Sequence, residues 1–359
     1  MTGSLEGRRL HFIGIGGAGM SGLALVASEL GAAVTGSDQA ESSYSERLRA
    51  AGIEPVIGHD AANVPEGAEV VVSTAIPEDN AELAAARERG VTILHRGDLL
   101  GELSRLKRTI AVGGTHGKTT TASMAALALR ETGRDPAFLI GGELRAAGTN
   151  AAWGAGEWAV IEADESDRSF LKLARDIAVV TNVELDHHAT YAGLPQLEEA
   201  FEEFTAPAEV RVLGPGVDLP GAGEAVSFGL GGERGGPGLR AENVSLGPGN
   251  SSFEVEGVRV ALPVPGEHNI LNALAALAAL RAAGVPVAEA APALAKFSGA
   301  GRRFESHGRT ERGAAVYDDY AHHPTEVRAT LTAARTLEPR RLVACFQPHL
   351  YSRTRMLAG

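Results

Sequence analysis

Two glycine-rich loops carry most of the legible chemistry. Gly14-Ile15-Gly16-Gly17-Ala18-Gly19 follows a strand-like run and opens a helix-like one, which is the G-x-G-x-x-G pattern in its required context. Gly14, Gly16, Gly17 and Gly19 let the backbone approach a diphosphate closely. The helix start at Ala18 adds amide donors and a favourable dipole. Asp38 ends the next strand, where its carboxylate could accept a hydrogen bond from a ribose or a base. The immediate reading is a dinucleotide such as NAD, although the motif reports a diphosphate and leaves open which nucleotide carries it.

The second loop is Gly113-Gly114-Thr115-His116-Gly117-Lys118-Thr119-Thr120, again between a strand and a helix. Val112 stands where a strict Walker A pattern has its first glycine, so the loop is one residue short. Its parts are those of a phosphate cradle: backbone amides from Gly114 to Thr120, Lys118 for the β and γ oxygens, and the Thr119 hydroxyl for Mg²⁺. Glu162-Ala163-Asp164-Glu165-Ser166-Asp167 then follows a strand. Its four carboxylates lie at the end that faces the ligand crevice in a parallel sheet, where a carboxylate can hold the metal of a nucleotide phosphate. The next strand ends in Thr181-Asn182-Val183-Glu184-Leu185-Asp186-His187-His188, where imidazole beside carboxylate could complete a second metal site.

Further along, Asn269 and Asn272 are three apart at the start of an alanine-rich helix, so both can hydrogen-bond one planar ligand such as a base. Arg302-Arg303 stands where a guanidinium could move towards a transferring phosphoryl group. Asp318-Asp319-Tyr320-Ala321-His322-His323 follows a strand and could contact ribose or reactant, whereas the adjacent side chains of His322 and His323 diverge and are poor candidates for joint chelation. Gln347-Pro348-His349, with Arg353 and Arg355, suits a carboxylate-bearing substrate.

The elements that must hold these residues alternate. Leu10–Ile15, Met20–Leu30, Ala33–Ser37, Tyr44–Ala51 and Val70–Thr74 predict a parallel sheet with helical crossovers. Thr109–Val112, Thr119–Glu131, Trp158–Ala163 and Ile177–Thr181 predict a second such unit, with a small β excursion in 244–262 and a strong helix over Asn269–Ala283, stopped by Gly284 and Pro286. A third unit begins near Ser298, with strands expected at Ala314–Tyr317 and Arg341–Phe346; it is short for an α/β domain. The expected division is 1–107, 108–297 and 298–359.

Composition fits this plan. With 44% hydrophobic and 22% charged residues among 359, packed cores are expected and a disordered or fibrous chain is not. A net charge of −12 argues against a broad nucleic-acid surface. Leu10–Ala27, the most apolar stretch, is broken by Gly14, Gly16, Gly17, Gly19 and Gly22, so neither a leader nor a membrane span is expected. The lone cysteine, Cys345, reads as a small strand residue and fits a reducing cytoplasm.

Gly14–Gly22, Gly114–Thr121, Glu162–Phe170, Thr181–Tyr191, His268–Asn272, Gly301–Phe304, Asp318–Val327 and Phe346–Arg355, in that order, resemble the Mur ligases of peptidoglycan synthesis. The resemblance implies three α/β domains: a Rossmann-like one for a UDP-sugar, a central P-loop ATPase-like one with the β excursion, and a C-terminal Rossmann-like one that is incomplete here, since family members continue well beyond Gly359. It implies UDP-N-acetylmuramate and not NAD on the first loop, with Asp38 near the uridine. It also implies ATP and Mg²⁺ at Lys118 and Thr119, metal ligation by Glu162 and His187, and adenine contacts from Asn269 and Asn272. Arg303 and Asp319 would come from the closing domain, and His349 and Arg353 would take the amino acid. The implied reaction joins L-alanine to the lactyl carboxylate through an acyl phosphate. The implied protein is a monomer or weak homodimer with neither nucleic-acid nor membrane partners. A recycling ligase for a murein peptide, a NAD-dependent dehydrogenase and a chain that binds nucleotide without turnover remain as alternatives.

Overall fold

A computed structural model describes residues 4–231, 238–348 and 350–357. The first unit is a five-stranded sheet, all parallel, with strands in the order Val56–Ile57, Ala33–Asp38, Arg9–Ile13, Glu69–Val72, Ile93–His95. The chain starts at the middle strand, builds outward to one side and then crosses to the other. A crevice therefore opens beyond the carboxyl end of Arg9–Ile13, where the first glycine loop sits. The helix Ala18–Glu29 buries every residue from Met20 to Ala27. It needs apolar residues all round because its far side packs on the second unit: Gly22 lies against Ala151 and Asn150, and the Asn150 amide donates to Ala18 O at 2.7 Å. That is the origin of the apolar stretch 10–27.

The second unit is a ten-stranded sheet. Its parallel part runs Gly238–Gly247, Glu224–Leu230, Val210–Leu213, Ile177–Val180, Arg108–Gly113, Trp158–Glu162, Ala137–Leu144. Antiparallel strands close both ends: Thr149–Trp153 on one, Asn250–Val255 and Val258–Leu262 on the other. The expected β excursion is thus an extension of the main sheet. The helix Glu267–Ala282 buries Ala273 through Leu280 completely between this sheet and the helices Lys118–Glu131 and Val287–Leu294.

The third unit holds an antiparallel pair, Glu305–Arg309 with Ala315–Asp318, and the helices Pro324–Arg335 and Tyr351–Met356. The strand expected at Arg341–Phe346 does not form. Among the described residues no strand lies beside it to complete a hydrogen-bonded ladder, and Val343 is left 71% exposed. Cys345 is accordingly an exposed free thiol in irregular chain, not a strand residue. Among the described residues, no helix is long and apolar enough to cross a membrane.

Candidate active site

The strand Arg108–Gly113 delivers the chain into the second glycine loop, and two of its glycines are required by space. Gly114 has φ +122° and a Cβ there would lie 2.0 Å from the Thr181 hydroxyl; Gly117 has φ +82° and a Cβ would lie 2.2 Å from Asn272 Oδ1. The end of the neighbouring strand grips the loop, since the His116 amide donates to Asn182 Oδ1 at 2.9 Å and the Thr115 amide to Asn182 O at 3.0 Å. The helix Lys118–Glu131 then points its N-terminus, with Thr119 and Thr120, at the space above.

Lys118 is held from below. Its Nζ donates to Gly114 O at 2.7 Å and lies 3.0 and 2.9 Å from the two oxygens of Glu165, which is fully buried. Burial opposes the charge on Lys118, but Glu165 and Asp164 outweigh it and hold the ammonium above its ordinary range. Asp164 is half-buried, and that desolvation favours its neutral form. Lys118 and Arg96 overcome that and bring its carboxyl down to about 2. Arg96 comes from the first unit and reaches Asp164 at 2.9 Å and Asp167 at 3.0 Å, tying the two units together beside the loop.

Thr119 Oγ1 stands 3.0 Å from Glu162 Oε1, and Glu162 Oε2 accepts from the Gly141 amide. An octahedral Mg²⁺ with oxygens at 2.0–2.1 Å separates neighbouring ligands by about 2.9 Å, so these two oxygens fit two adjacent positions of one hard cation. His187 adopts φ +53° and has both ring nitrogens engaged: Nε2 lies 3.2 Å from Glu165 Oε1, and Nδ1 lies 3.1 Å from the Arg353 guanidinium. Arginine only donates, so Nδ1 is the acceptor and Nε2 carries the proton given to Glu165. Ligation by His187 therefore requires exchange of one of these partners. Arg353 also binds Asp186 at 2.9 Å and is 7% exposed.

Two cavities meet at this cluster. One, of about 270 Å³, lies between the second and third units and is lined by His116, Gly117, Thr120, Asn269, Asn272 and Asp319, among others. Asn269 donates to Pro265 O at 2.7 Å and keeps Oδ1 towards Asn272 at 3.5 Å. His268, on the same wall, is pushed down to about 4 by burial and by the Arg303 charge, so it meets a ligand as a neutral imidazole. Burial raises the Asp319 carboxyl, whose oxygens accept from the Phe304 and Ala321 amides at 2.8 Å each. The other cavity, of about 360 Å³, is lined from all three units by Ala18, Gly19, Arg96, Lys118, Glu162 and Arg353, with His187 beside them. Arg303 and Glu326 line both.

Family models for the three parts of one enzyme type match in order: the Mur ligase catalytic domain over residues 9–108, the Mur ligase middle domain over 112–280 and the Mur ligase glutamate ligase domain over 302–359. The UDP-N-acetylmuramate–L-alanine ligase of Azoarcus sp. is 46% identical over 97% of this chain and 79% of its own length. The chain belongs to the Mur ligase family. The corresponding ligase of Nitratidesulfovibrio vulgaris is also 46% identical, over 98% of this chain and 80% of its own. Among solved structures, the UDP-N-acetylmuramate–alanine ligase of Thermotoga maritima superposes with a TM-score of 0.84 at 32% identity, covering 95% of this chain and 80% of that one. The murein peptide ligase of Psychrobacter arcticus gives 0.79 at 26%, over 96% and 81%. The three-part α/β architecture expected from the sequence is thereby established.

In this Mur ligase the structure brings most of the expected residues together. Lys118, Glu162, His187 and Arg353 gather at the second cavity with Ala18 and Gly19, and Thr119 stands behind them on Glu162, while Asn269, Asn272, Asp319, His116, Gly117 and Thr120 face the first. Arg303, preferred to Arg302, serves both. Gly14, Gly16, Gly17 and Asp38 do not line either cavity. Asp38 Oδ2 accepts from the Gly16 amide at 2.9 Å and so fixes the loop's shape. His349 lies outside the described residues. Sequence reasoning passed over Glu165, Arg96, His268 and Glu326. Glu165 sat in the recognised acidic run, but only the fold shows which of the four carboxylates meets Lys118.

Proposed function

We propose that this chain is an ATP-dependent ligase that joins L-alanine to the lactyl carboxylate of UDP-N-acetylmuramate, in peptidoglycan precursor synthesis in the cytoplasm. The observation that carries the reading is the junction of the two cavities: Lys118 lines one bordered by Ala18 and Gly19 at the end of the first unit's glycine loop, and Arg303 reaches both that space and the neighbouring nucleotide-sized one. The residue roles follow from placement. Asn269 and Asn272 take the base of ATP, with neutral His268 and Asp319 on the same walls. Amides from Gly114 to Thr120 cradle the phosphates, and Gly14, Gly16, Gly17, Ala18 and Gly19 take the diphosphate of the UDP-sugar, with Asp38 bracing that loop. The division 1–107, 108–297 and 298–359 assigns UDP-sugar, ATP and closure to successive domains.

A carboxylate is a poor electrophile. One of its oxygens attacks the γ-phosphorus of ATP, the bond to the β-γ bridging oxygen breaks, and ADP leaves. Lys118 and Arg303 stabilise the charge on the transferring phosphoryl group. Thr119, Glu162 and His187 would hold Mg²⁺, which supplies further charge neutralisation when bound. The alanine amine then attacks the carbonyl of the acyl phosphate, phosphate departs with the carboxylate oxygen, and the amine loses its proton. Arg353 orients the alanine carboxylate. No nucleophile from the protein is required.

Phosphate release by the full chain with Mg-ATP, UDP-N-acetylmuramate and L-alanine, each omitted in turn, tests the reading. Release that needs all three supports it. Release only when a murein tripeptide replaces alanine assigns the recycling reaction, and ATP binding without any release rejects the ligase.

A further inference from the structure

At the seam between the second and third units, beside the nucleotide cavity, one cluster has side chains to which this chemistry gives no role. His116 of the phosphate loop, Glu184 of the loop after Ile177–Val180 and His323 at the start of Pro324–Arg335 have ligand atoms within 4.8 Å of one another. The imidazoles of His116 and His323 stand with centroids 4.5 Å apart. His116 Nδ1 lies 3.2 Å from Glu326 Oε1, and a carboxylate only accepts, so the ring proton sits on Nδ1. Nε2 is then a bare lone pair. It is buried, has no hydrogen-bond partner among the described residues, and faces Glu184 Oε2 at 3.5 Å.

Two acceptors held face to face call for a cation between them. A tetrahedral Zn²⁺ with bonds of 2.0–2.2 Å places its ligand atoms about 3.3–3.5 Å apart. The pair His116 Nε2 and Glu184 Oε2 already has that spacing, and Glu184 Oε2 to His323 Nδ1 is 3.7 Å. Glu326 behind His116 completes a carboxylate–histidine–metal arrangement, the partner that fixes tautomer and ring orientation. The Thr325 hydroxyl, 2.6 Å from Glu184 Oε2, orients the other ligand. The ion would displace a 3.3 Å hydrogen bond from the Thr325 amide to His323 Nδ1.

We propose that His116, Glu184 and His323 form a site for a borderline divalent transition-metal ion such as Zn²⁺, separate from the Thr119–Glu162 oxygen pair. Its ligands come from the second and third units, so a bound ion fastens the third unit over the phosphate loop. Two imidazoles with one carboxylate select such an ion over Mg²⁺, which prefers oxygen ligands.

The test is titration of the nucleotide-free full chain, carrying Cys345→Ser, with Co²⁺ or Zn²⁺ at pH 8 in excess Mg²⁺. Calorimetry and the visible spectrum of tetrahedral Co²⁺ report binding. One equivalent is expected to bind, with affinity at least tenfold lower in His116→Ala, His323→Ala and Glu184→Gln, the last preserving shape and volume. Glu326→Gln is expected to weaken binding by roughly tenfold. Zn²⁺ should raise the thermal midpoint of the parent and not of the His323→Ala protein. Equal affinity in all variants would place the ion elsewhere and overturn the proposal. No binding at pH 8 would overturn it too, leaving a proton on His116 as the bridging cation, and displacement of Co²⁺ by the excess Mg²⁺ would refute the metal class.

Discussion

Lys118 and Glu165 form a buried ion pair whose coupling is open to measurement. The Lys118 side chain is 13% exposed and that of Glu165 1%, with both carboxylate oxygens within 3.0 Å of Nζ. Lys118→Met removes the ammonium that faces the Glu165 carboxylate and helps to hold the Asp164 carboxyl down. Among the described residues, the only other partner the Glu165 carboxylate retains is His187 Nε2 at 3.2 Å. Breaking one side of such a pair costs about 3–5 kcal/mol. Glu165→Gln strands the ammonium instead, softened by the carbonyls of Gly114 and Thr115, so its cost should fall at the low end of that range. The double variant removes both charges, and its cost should fall short of the sum by roughly 1–3 kcal/mol. Urea unfolding of the four proteins, followed by circular dichroism, gives the cycle. Additivity within about 0.5 kcal/mol, or a Lys118→Met cost below about 1 kcal/mol, would refute the reasoning.

Gly117→Ala forces an L-residue to φ +82° against Asn272, at a backbone cost of about 1–2 kcal/mol, and should weaken ATP binding at least tenfold in a fluorescent-analogue titration; unchanged affinity would contradict the tight loop. Arg96→Ala should raise KM for the UDP-sugar with little change in KM for ATP, because it unties the first unit from Asp164 and Asp167 without touching the nucleotide cavity. Both depressed groups make stability fall with acid, in different windows. His268, held at about 4 against an ordinary 6.5, contributes about 3 kcal/mol that is complete above pH 6.5 and lost as pH falls to 4; His268→Gln should flatten that segment of a urea-midpoint curve. Asp164, held at about 2, favours the fold above pH 4 by an amount that solvent screening at this half-exposed carboxylate reduces, and that is lost as pH falls to 2; Asp164→Asn should remove that acid-limb slope.

The glycine loops, the strands that feed them and the alanine-rich helix were legible because local spacing dictates them: a loop that must hug phosphate needs glycine whatever packs around it. Arg96 was not legible. It belongs to an ordinary helix start, and only the docking of the first unit on Asp164 and Asp167 gives it meaning. Glu165 and Glu326 were hidden for a related reason, since a carboxylate's partner is set by tertiary contacts that a run of acids does not reveal. The segment 341–346 shows the opposite failure. Its apolar alternation reads as a strand, but pairing belongs to the neighbour as much as to the strand, and among the described residues no strand pairs with it.

Attack of the lactyl carboxylate on ATP is the central step, and oxygen transfer reports it directly. UDP-N-acetylmuramate labelled with oxygen-18 in that carboxylate, turned over by the full chain with Mg-ATP and L-alanine, should yield inorganic phosphate carrying one labelled oxygen per amide formed. Unlabelled phosphate released alongside the same amide would contradict an acyl-phosphate route.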